Sequence, residues 1–511
     1  MKDASPHADA RAHGWLPSLS ATIWITLFLG LSLTNARVVL ISADSDTALH
    51  RRLGEWMIQH HAILHHDLLL HTFHETAVAK EWLSEVLFAA AARWFGWNGF
   101  VLIAALVIAT IFWLLHRQLM AEGSDALLAT GLVLVAMLAC SMHWLARPHI
   151  FTHLLTLIFA WQLRWYQRGR VSTRQLFLFL PPLMALWTNL HGAFISGLVL
   201  IGMYALGSAI TARSQPLLRK RARIFTILLL TCGAASLLNP NGWGLHLYVL
   251  GFLKLSELST VTTEFTSPDF HTAGMQGFLL FLFLLGAALL IIRPKFDATD
   301  VLVVGGWGYL TLLAARNVPL FIFIVTPLLA QWINEFLLSN ESSRWCRLYR
   351  GWAAGIISRD GPTSTAIIIA AVVCVTLVMA KPTLAGGGPV LVTDFPPDRY
   401  PVEAVDWLRA HPDVVRGEMF NLFLWGGYLE YSLPKYKTFI DSRNDFYGLG
   451  LVREFHTASD PKPGWDAVFA KYHVDWTILP VQHPLNQVLQ LRQDWQLVFS
   501  NSHTLVYSRR P

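Results

Sequence analysis

The stretch Trp97-Asn98-Gly99-Phe100-Val101-Leu102-Ile103-Ala104-Ala105-Leu106-Val107-Ile108-Ala109-Thr110-Ile111-Phe112-Trp113-Leu114-Leu115 contains no charged side chain. A hydrocarbon core about 30 Å thick is crossed by about 20 apolar helical residues, so this run reads as a membrane span. Ten further runs share its character, at about 20–40, 126–144, 149–166, 175–190, 192–211, 224–238, 276–292, 300–315, 318–338 and 365–380. The chain therefore reads as a polytopic α-helical membrane protein with about 11 transmembrane helices. Composition agrees: 54% of its 511 residues are hydrophobic and 14% are charged, whereas a soluble domain carries about 25% charged residues. The same figures exclude a disordered chain, a collagen and a coiled coil.

The charges are unevenly spread. Residues 381–511 hold 27 of the 72 charged side chains, a density near that of a soluble domain. Residues 1–380 thus form a transmembrane domain, with a large first outer loop at 41–96, and 381–511 form a small α/β soluble domain. The tail has 13 basic and 14 acidic residues, so the formal charge of +6 belongs to the membrane body. That assigns the excess to topology and argues against nucleic acid as a partner. Cys140, Cys232 and Cys374 lie in apolar runs and Cys346 in a basic loop, which offers no disulfide framework.

Loop charges orient the spans. With the N-terminus in the cytoplasm, the inner loops carry Arg117, Arg164, Arg168, Arg170, Arg174, Arg213, Arg219 to Arg223, Arg293, Lys295, Arg344, Arg347, Arg350 and Arg359, as the positive-inside rule requires. The first span follows Lys2 and Arg11 and lacks a small-residue cleavage site, so it reads as an uncleaved anchor. An odd span count sends the tail to the outer, periplasmic side of a bacterial inner membrane. In the outer loop, 46–59 and 78–95 have the periodicity of amphipathic helices at the interface, with Trp56, Trp82, Trp94 and Trp97 at a suitable depth.

Ionisable groups near membrane depth are functional candidates. With this topology they collect on the outer side: Asp44, Asp46, Asp67, Glu81, Glu85, seven histidines from His50 to His74, His143, Arg147, His149, Asn189, His191, Glu264 and Arg316. Each has a plainer reading. Asp44 and Asp46 could cap a helix. The histidine pairs at 60–61 and 65–66 could hold a transition metal or simply face solvent. Arg147-Pro148-His149 could be an interfacial turn. Arg316 stands between apolar runs and would suit an anionic ligand.

Several of these segments together resemble a known pattern. Asp44-Ser45-Asp46 through His50, Gly54, Asp67 and Glu81-Trp82-Leu83 is similar to the first outer loop of GT-C type membrane glycosyltransferases. Within that group it looks like the bacterial branch of RgtA/B/C/D-like and protein-mannosyltransferase-like proteins. Arg147-Pro148, Trp187 to Gly192, Asn239-Pro240 and Arg316 to Pro319 fall at similar positions. In the tail, Phe420-Asn421, Trp425 to Tyr428, Phe439 to Arg443 and Tyr447-Gly448 look like the C-terminal domain of the same branch.

The resemblance implies an inverting transfer of sugar from a polyprenyl-phosphate donor to an acceptor hydroxyl at the outer face, with a carboxylate of the first loop as base. The acceptor would be a cell-envelope glycan, lipid or protein. Asp44-Ser45-Asp46 replaces the Asp-Glu pair of relatives, which leaves Asp46 as first candidate for the base and Asp44 as second. The departing phosphate needs cations or donors: Arg316, Arg147, His191 and His149. Asn189, Glu81, Glu264 and His50 are candidates for substrate contacts. A divalent cation such as Mg or Mn, held by Asp44, Asp46 or Glu264, is an alternative source of positive charge. No other cofactor is implied. Alternative functions are a transporter or flippase for a lipid-linked sugar, or a non-catalytic scaffold.

In the tail, 402–409 and 465–472 read as helices, and 439–440, 476–479 and 504–507 as strands. Trp425, Tyr428, Asp441 and Arg443 could line an acceptor site. The plainer reading makes Gly426-Gly427 a turn and Asp441–Arg443 an ordinary ion pair.

Overall fold

The computed structural model describes residues 18–73, 78–212, 216–253, 263–356, 362–381 and 390–510. Lys2, Arg11, His74, Arg213 and Arg359 lie outside the described residues. Every one of the eleven expected apolar runs falls on a helix. Among the described residues, five helices are long and apolar enough to cross a membrane by length and composition, or six if one bent pair forms a single span. These include α5 (Trp97–Ala121), Ala273–Ile291 and Ala315–Ser339.

The bent pair is the first expected span. It divides into α1 (Leu19–Leu33) and α2 (Ala36–Ser42), which meet at 71°. Thr34 causes the break locally: its hydroxyl donates to the Gly30 carbonyl at 2.6 Å and accepts from the Ala36 N–H. A side chain that satisfies backbone groups in this way competes with the helical ladder. The bend leaves α2 running into the Asp44 segment.

The outer loop also departs from expectation. It forms α3 (Asp46–His60) and α4 (Trp82–Phe95), but their apolar faces do not lie free for lipid. Leu49, Leu53 and Met57 pack with Leu64 and Leu69, against Trp56, Trp82 and Val86. Gly54 makes the α3–α4 approach possible, because a Cβ there would lie 2.1 Å from the Glu85 carbonyl oxygen. Of the four loop tryptophans, Trp94 is the exposed one that still suits an interfacial depth.

α5 is largely buried and runs through the helix core. The one amide in its apolar run, Asn98, donates to the carbonyls of Leu391 and Ala380 and accepts from Thr393. A buried amide is tolerated when its polar groups are bonded. Here those bonds fasten the entry of the tail to the start of α5.

The tail carries a four-stranded sheet of β1 (Glu418–Asn421), β2 (Val474–Pro480), β3 (Trp495–Ser500) and β4 (Thr504–Arg509) in the order β1-β2-β4-β3. β1 is parallel to β2, and the other pairings are antiparallel. Phe439-Ile440, expected as a strand, is outside this sheet. The Asn421 side chain instead takes the Phe439 N–H at 2.8 Å and gives to the Ile440 carbonyl at 2.9 Å, replacing a ladder with one amide. Strands also form at 418–421 and 495–500; β3 exposes Gln496, Leu497 and Ser500 and buries Trp495, so it lacks the strict alternation that marks a strand in sequence.

The tail and the outer loop are one packed unit. Leu70 bridges Thr438 in parallel, and Thr72 bonds the Phe439 carbonyl at 2.7 Å. Gly426 and Gly427 are not a free turn. They open the helix Gly426–Ser432, where a Cβ on Gly427 would lie 2.5 Å from the Ser45 carbonyl oxygen and one on Gly426 2.5 Å from that of Ile440. Close approach of two backbones is what glycine permits here. Gly427→Val should therefore destabilise the protein by about 1–3 kcal/mol, the usual cost of overpacking. Gly30→Ala meets nothing within 4 Å and should leave thermal unfolding in detergent near the parent's. Equal melting temperatures for Gly427→Val and the parent would contradict the packing.

Candidate functional site

The site begins where α2 ends. Asp44 sits between α2 and α3, and Asp46 is the first residue of α3. The Asp46 N–H donates to Asp44 Oδ1 at 3.0 Å, so the two carboxylates are fixed relative to each other by the turn that starts the helix. Arg147 reaches both from the segment before α7 (His149–Gln167). Its Nη1 lies 2.7 Å from Asp44 Oδ2 and 3.2 Å from Glu264 Oε1, and its Nη2 pairs with Asp46 Oδ2. The Ala146 N–H bonds the Leu40 carbonyl at 2.8 Å, which holds the arginine's segment against α2. The other oxygen of Asp46 accepts from the Ser442 hydroxyl of the tail.

Three carboxylates from two distant segments thus share one guanidinium. Desolvation above all pushes the Asp44 carboxyl up to about 6; Arg147 opposes the rise, and Asp46 and Glu264 add to it. Desolvation acts on Glu264 in the same sense, but Arg147 and Arg316 outweigh it and hold that carboxyl below its ordinary value. Arg147 itself is held well above its usual range: the three carboxylates overcome a large desolvation. The three acids named as a possible divalent-ion set therefore converge on an arginine, which fills the point between them.

Arg316 lies nearby, half-buried, with its guanidinium carbon 4.4 Å from the centre of the Phe265 ring. Among the described residues it has neither an ion pair nor a hydrogen bond. His149 donates from Nε2 to the His143 carbonyl at 2.9 Å, and the His143 ring reaches the Ala315 carbonyl beside Arg316. His153, on α7, packs edge-on against both histidines.

A second group lies one helical turn along α3. His50 faces Glu85 at 3.1 Å through Nδ1 and Glu81 at 3.8 Å through Nε2. His191, at the break between α8 (Thr173–Leu190) and α9 (Ile195–Thr211), places Nε2 3.3 Å from Glu81. Asn189 is committed to the protein: it accepts from Trp82 and donates to the carbonyls of Ala185 and Leu238. The histidines at 60, 61, 65 and 66 are exposed and are not among the described groups close enough to share an ion.

In the tail, Arg443 Nη2 lies 2.8 Å from Asp67 and 2.5 Å from Asp441, and Glu430 is buried beside them with Thr438 on one oxygen. Burial and the neighbouring Asp441 push the Glu430 carboxyl well above its ordinary range. Asp441 is fully buried, so this ion pair joins loop to tail and is not an open acceptor surface. Trp425 and Tyr428 are also buried, with the Trp425 indole N–H on the Arg399 carbonyl. Trp425 still lines one wall of a cleft of about 350 Å³. Asp44, Tyr400, Gln482 and His503 line it as well, and Asp46 does not.

Ser442 lies in the 441–443 stretch considered for an acceptor site, and its hydroxyl instead meets Asp46. Its hydroxyl reaches Asp46 only because the buried Asp67–Arg443–Asp441 pairs hold residues 441–443 against the loop. At the far end of α7, Arg164 pairs with Glu122 at 2.8 Å and bonds Gln331 and the Pro327 carbonyl. Arg164, read as a topology charge, is thus buried in a packed ion pair.

A carboxyl whose pKa is raised on folding binds more protons folded than unfolded, so its contribution to stability falls as pH rises through the window. For Asp44 that window runs from the ordinary 3.8 to about 6. The melting temperature of Asp44→Asn relative to the parent should rise with pH across this range and level off above it. A flat difference would show that Asp44 is not perturbed.

The fold has solved counterparts. The chain is similar to the apo oligosaccharyltransferase of Archaeoglobus fulgidus, with a TM-score of 0.53 and 14% identity over 91% of this chain and 69% of that one. It is similar to ArnT from Cupriavidus metallidurans bound to undecaprenyl phosphate, with a TM-score of 0.51 and 12% identity over 96% of this chain and 97% of that one. The archaeal oligosaccharyltransferase AglB in complex with an inhibitory peptide and a dolichol-phosphate gives a TM-score of 0.50 and 11% identity over 96% and 74%. No family model and no curated protein matches the sequence. The chain has the fold of GT-C type membrane glycosyltransferases.

Proposed function

We propose that the protein transfers a sugar from a polyprenyl-phosphate donor to an acceptor hydroxyl at the outer face of the membrane. The observation that carries this reading is the meeting of Asp44, Asp46, Glu264 and Arg147 within hydrogen-bond reach at one end of the helices, beneath the tail. Two solved proteins of the same fold hold dolichol-phosphate and undecaprenyl phosphate, which supports a lipid-phosphate donor. The reading takes the eleven apolar helices as spans, with the N-terminus in the cytoplasm and the tail in the periplasm of a bacterial inner membrane.

Asp44 is the base in this scheme. The cleft opens on Asp44, and a carboxyl titrating at about 6 is matched to proton abstraction near neutral pH. Asp46 has one oxygen on Arg147 and the other on Ser442, so it acts by holding these groups in place. The acceptor hydroxyl attacks the anomeric carbon as the bond to phosphate breaks, which inverts that centre. The proton passes to Asp44. The phosphate leaves with added negative charge, beside Arg316. Arg147 is occupied by three carboxylates, so Arg316 is the cation with capacity for the phosphate, whereas the ring protons of His149 and His191 are held by the His143 carbonyl and by Glu81. Arg147 takes the role first considered for a divalent ion. Glu264 is bonded to Arg147 and feels the charge of Arg316 at longer range.

Asp44→Asn and Arg316→Ala should each lower transfer by roughly 100-fold or more, while both proteins elute as folded species. The assay is sugar transfer in vesicles supplied with undecaprenyl-phosphate-linked sugars. Full activity in both variants would remove the proposal.

A further inference from the structure

We propose a divalent transition-metal site formed by His50, Glu81 and Glu85, distinct from the Arg147 cluster and independent of the reading above. The ligand atoms of these three buried residues all lie within 4.8 Å of one another. Ligands that share one zinc ion at about 2.0–2.2 Å each must approach one another on this scale. One imidazole and two carboxylates are donors that zinc accepts, with a fourth position left for water or another ligand.

The helices are built to bring the three together. Glu81 and Glu85 are four residues apart and therefore on one face of the α4 entry. His50 is one turn before Gly54 on α3. The missing Cβ at Gly54, where one would lie 2.1 Å from the Glu85 carbonyl oxygen, lets the two helices close to that distance. Both nitrogens of His50 point at carboxylates, Nδ1 at Glu85 and Nε2 at Glu81. One imidazole nitrogen is all the ion requires of His50, and the ligand atoms of both carboxylates lie within the same 4.8 Å group.

The outer contacts fit the same reading. His191 Nδ1 faces the Thr152 hydroxyl at 2.9 Å and accepts from the Ala193 N–H at 3.3 Å. Its proton therefore sits on Nε2, which lies 3.3 Å from Glu81 Oε1. His191 is thus a hydrogen-bond donor to a ligating carboxylate and not itself a ligand. The ion would fasten α3 to α4 one turn from Asp46 and so keep the first loop rigid.

The test uses the full-length protein in detergent, stripped with EDTA, incubated with zinc and passed through gel filtration. About one zinc per chain is expected by mass spectrometry, together with a rise in melting temperature. Cobalt in place of zinc should give visible absorption bands of a low-coordinate site. Glu85→Gln and His50→Gln should weaken binding by roughly tenfold or more, and His191→Ala by a comparable factor through Glu81. No retained zinc and no cobalt bands in the parent protein would overturn the site, whatever the variants do. Undiminished zinc in folded Glu85→Gln and His50→Gln would overturn it equally.

Discussion

The guanidinium of Arg147 is the group on which the site depends. Asp44, Asp46 and Glu264 come from two separate segments of the chain, and in a poorly solvated place their charges repel. An arginine has a planar fork that can bond several carboxylates at once, and its charge does not titrate away. Removing one partner of such a buried cluster leaves charge uncompensated, which costs several kcal/mol. The loop, the α7 entry and the 264 segment are therefore held together by one side chain. Three carboxylates on one guanidinium leave negative charge in excess, and the nearby Arg316 offsets part of it through its attraction for Glu264.

A second buried arginine repeats the device at the tail. Arg443 joins Asp67 of the loop to Asp441 of the tail. The result is positional: Ser442, between two pinned residues, is delivered to Asp46. Glycines at 426 and 427 allow the approach, and Asn98 and Arg51 reinforce it, the latter between the Trp97 and Tyr431 rings. Tail and loop thus meet at one candidate site, where the tail fixes a carboxylate through Ser442.

Much of this was legible in the sequence. Apolar runs marked helices because length and hydropathy are local properties, and all eleven fall on helices. Acids and arginines at apolar depth marked the site for a similar reason: a charge there needs a purpose. What the sequence hid was pairing. Nothing local tells that Arg147 meets Glu264 rather than a ligand, that Asp67 meets Arg443, or that Ser442 meets Asp46. Likewise Thr34 looks like one more tolerated residue in an apolar run until its hydroxyl is seen on Gly30. The tail's missed strands are short, and Phe439-Ile440 has strand residues without a strand because Asn421 satisfies its backbone.

These pairings also bear on which carboxylate can act. A base must be reachable and must hold its proton loosely near the working pH. Each acid has Arg147 on one oxygen; the other oxygen takes the Ser442 hydroxyl on Asp46 and the Asp46 N–H on Asp44. Asp44 borders the cleft and is the one whose acidity is weakened. The two aspartates differ by two positions in sequence and share a helix start, yet the tail bonds the side chain of Asp46 and leaves that of Asp44 lining the cleft. A division of labour between neighbouring carboxylates arises in this way whenever packing separates their surroundings, and here the tail is what separates them.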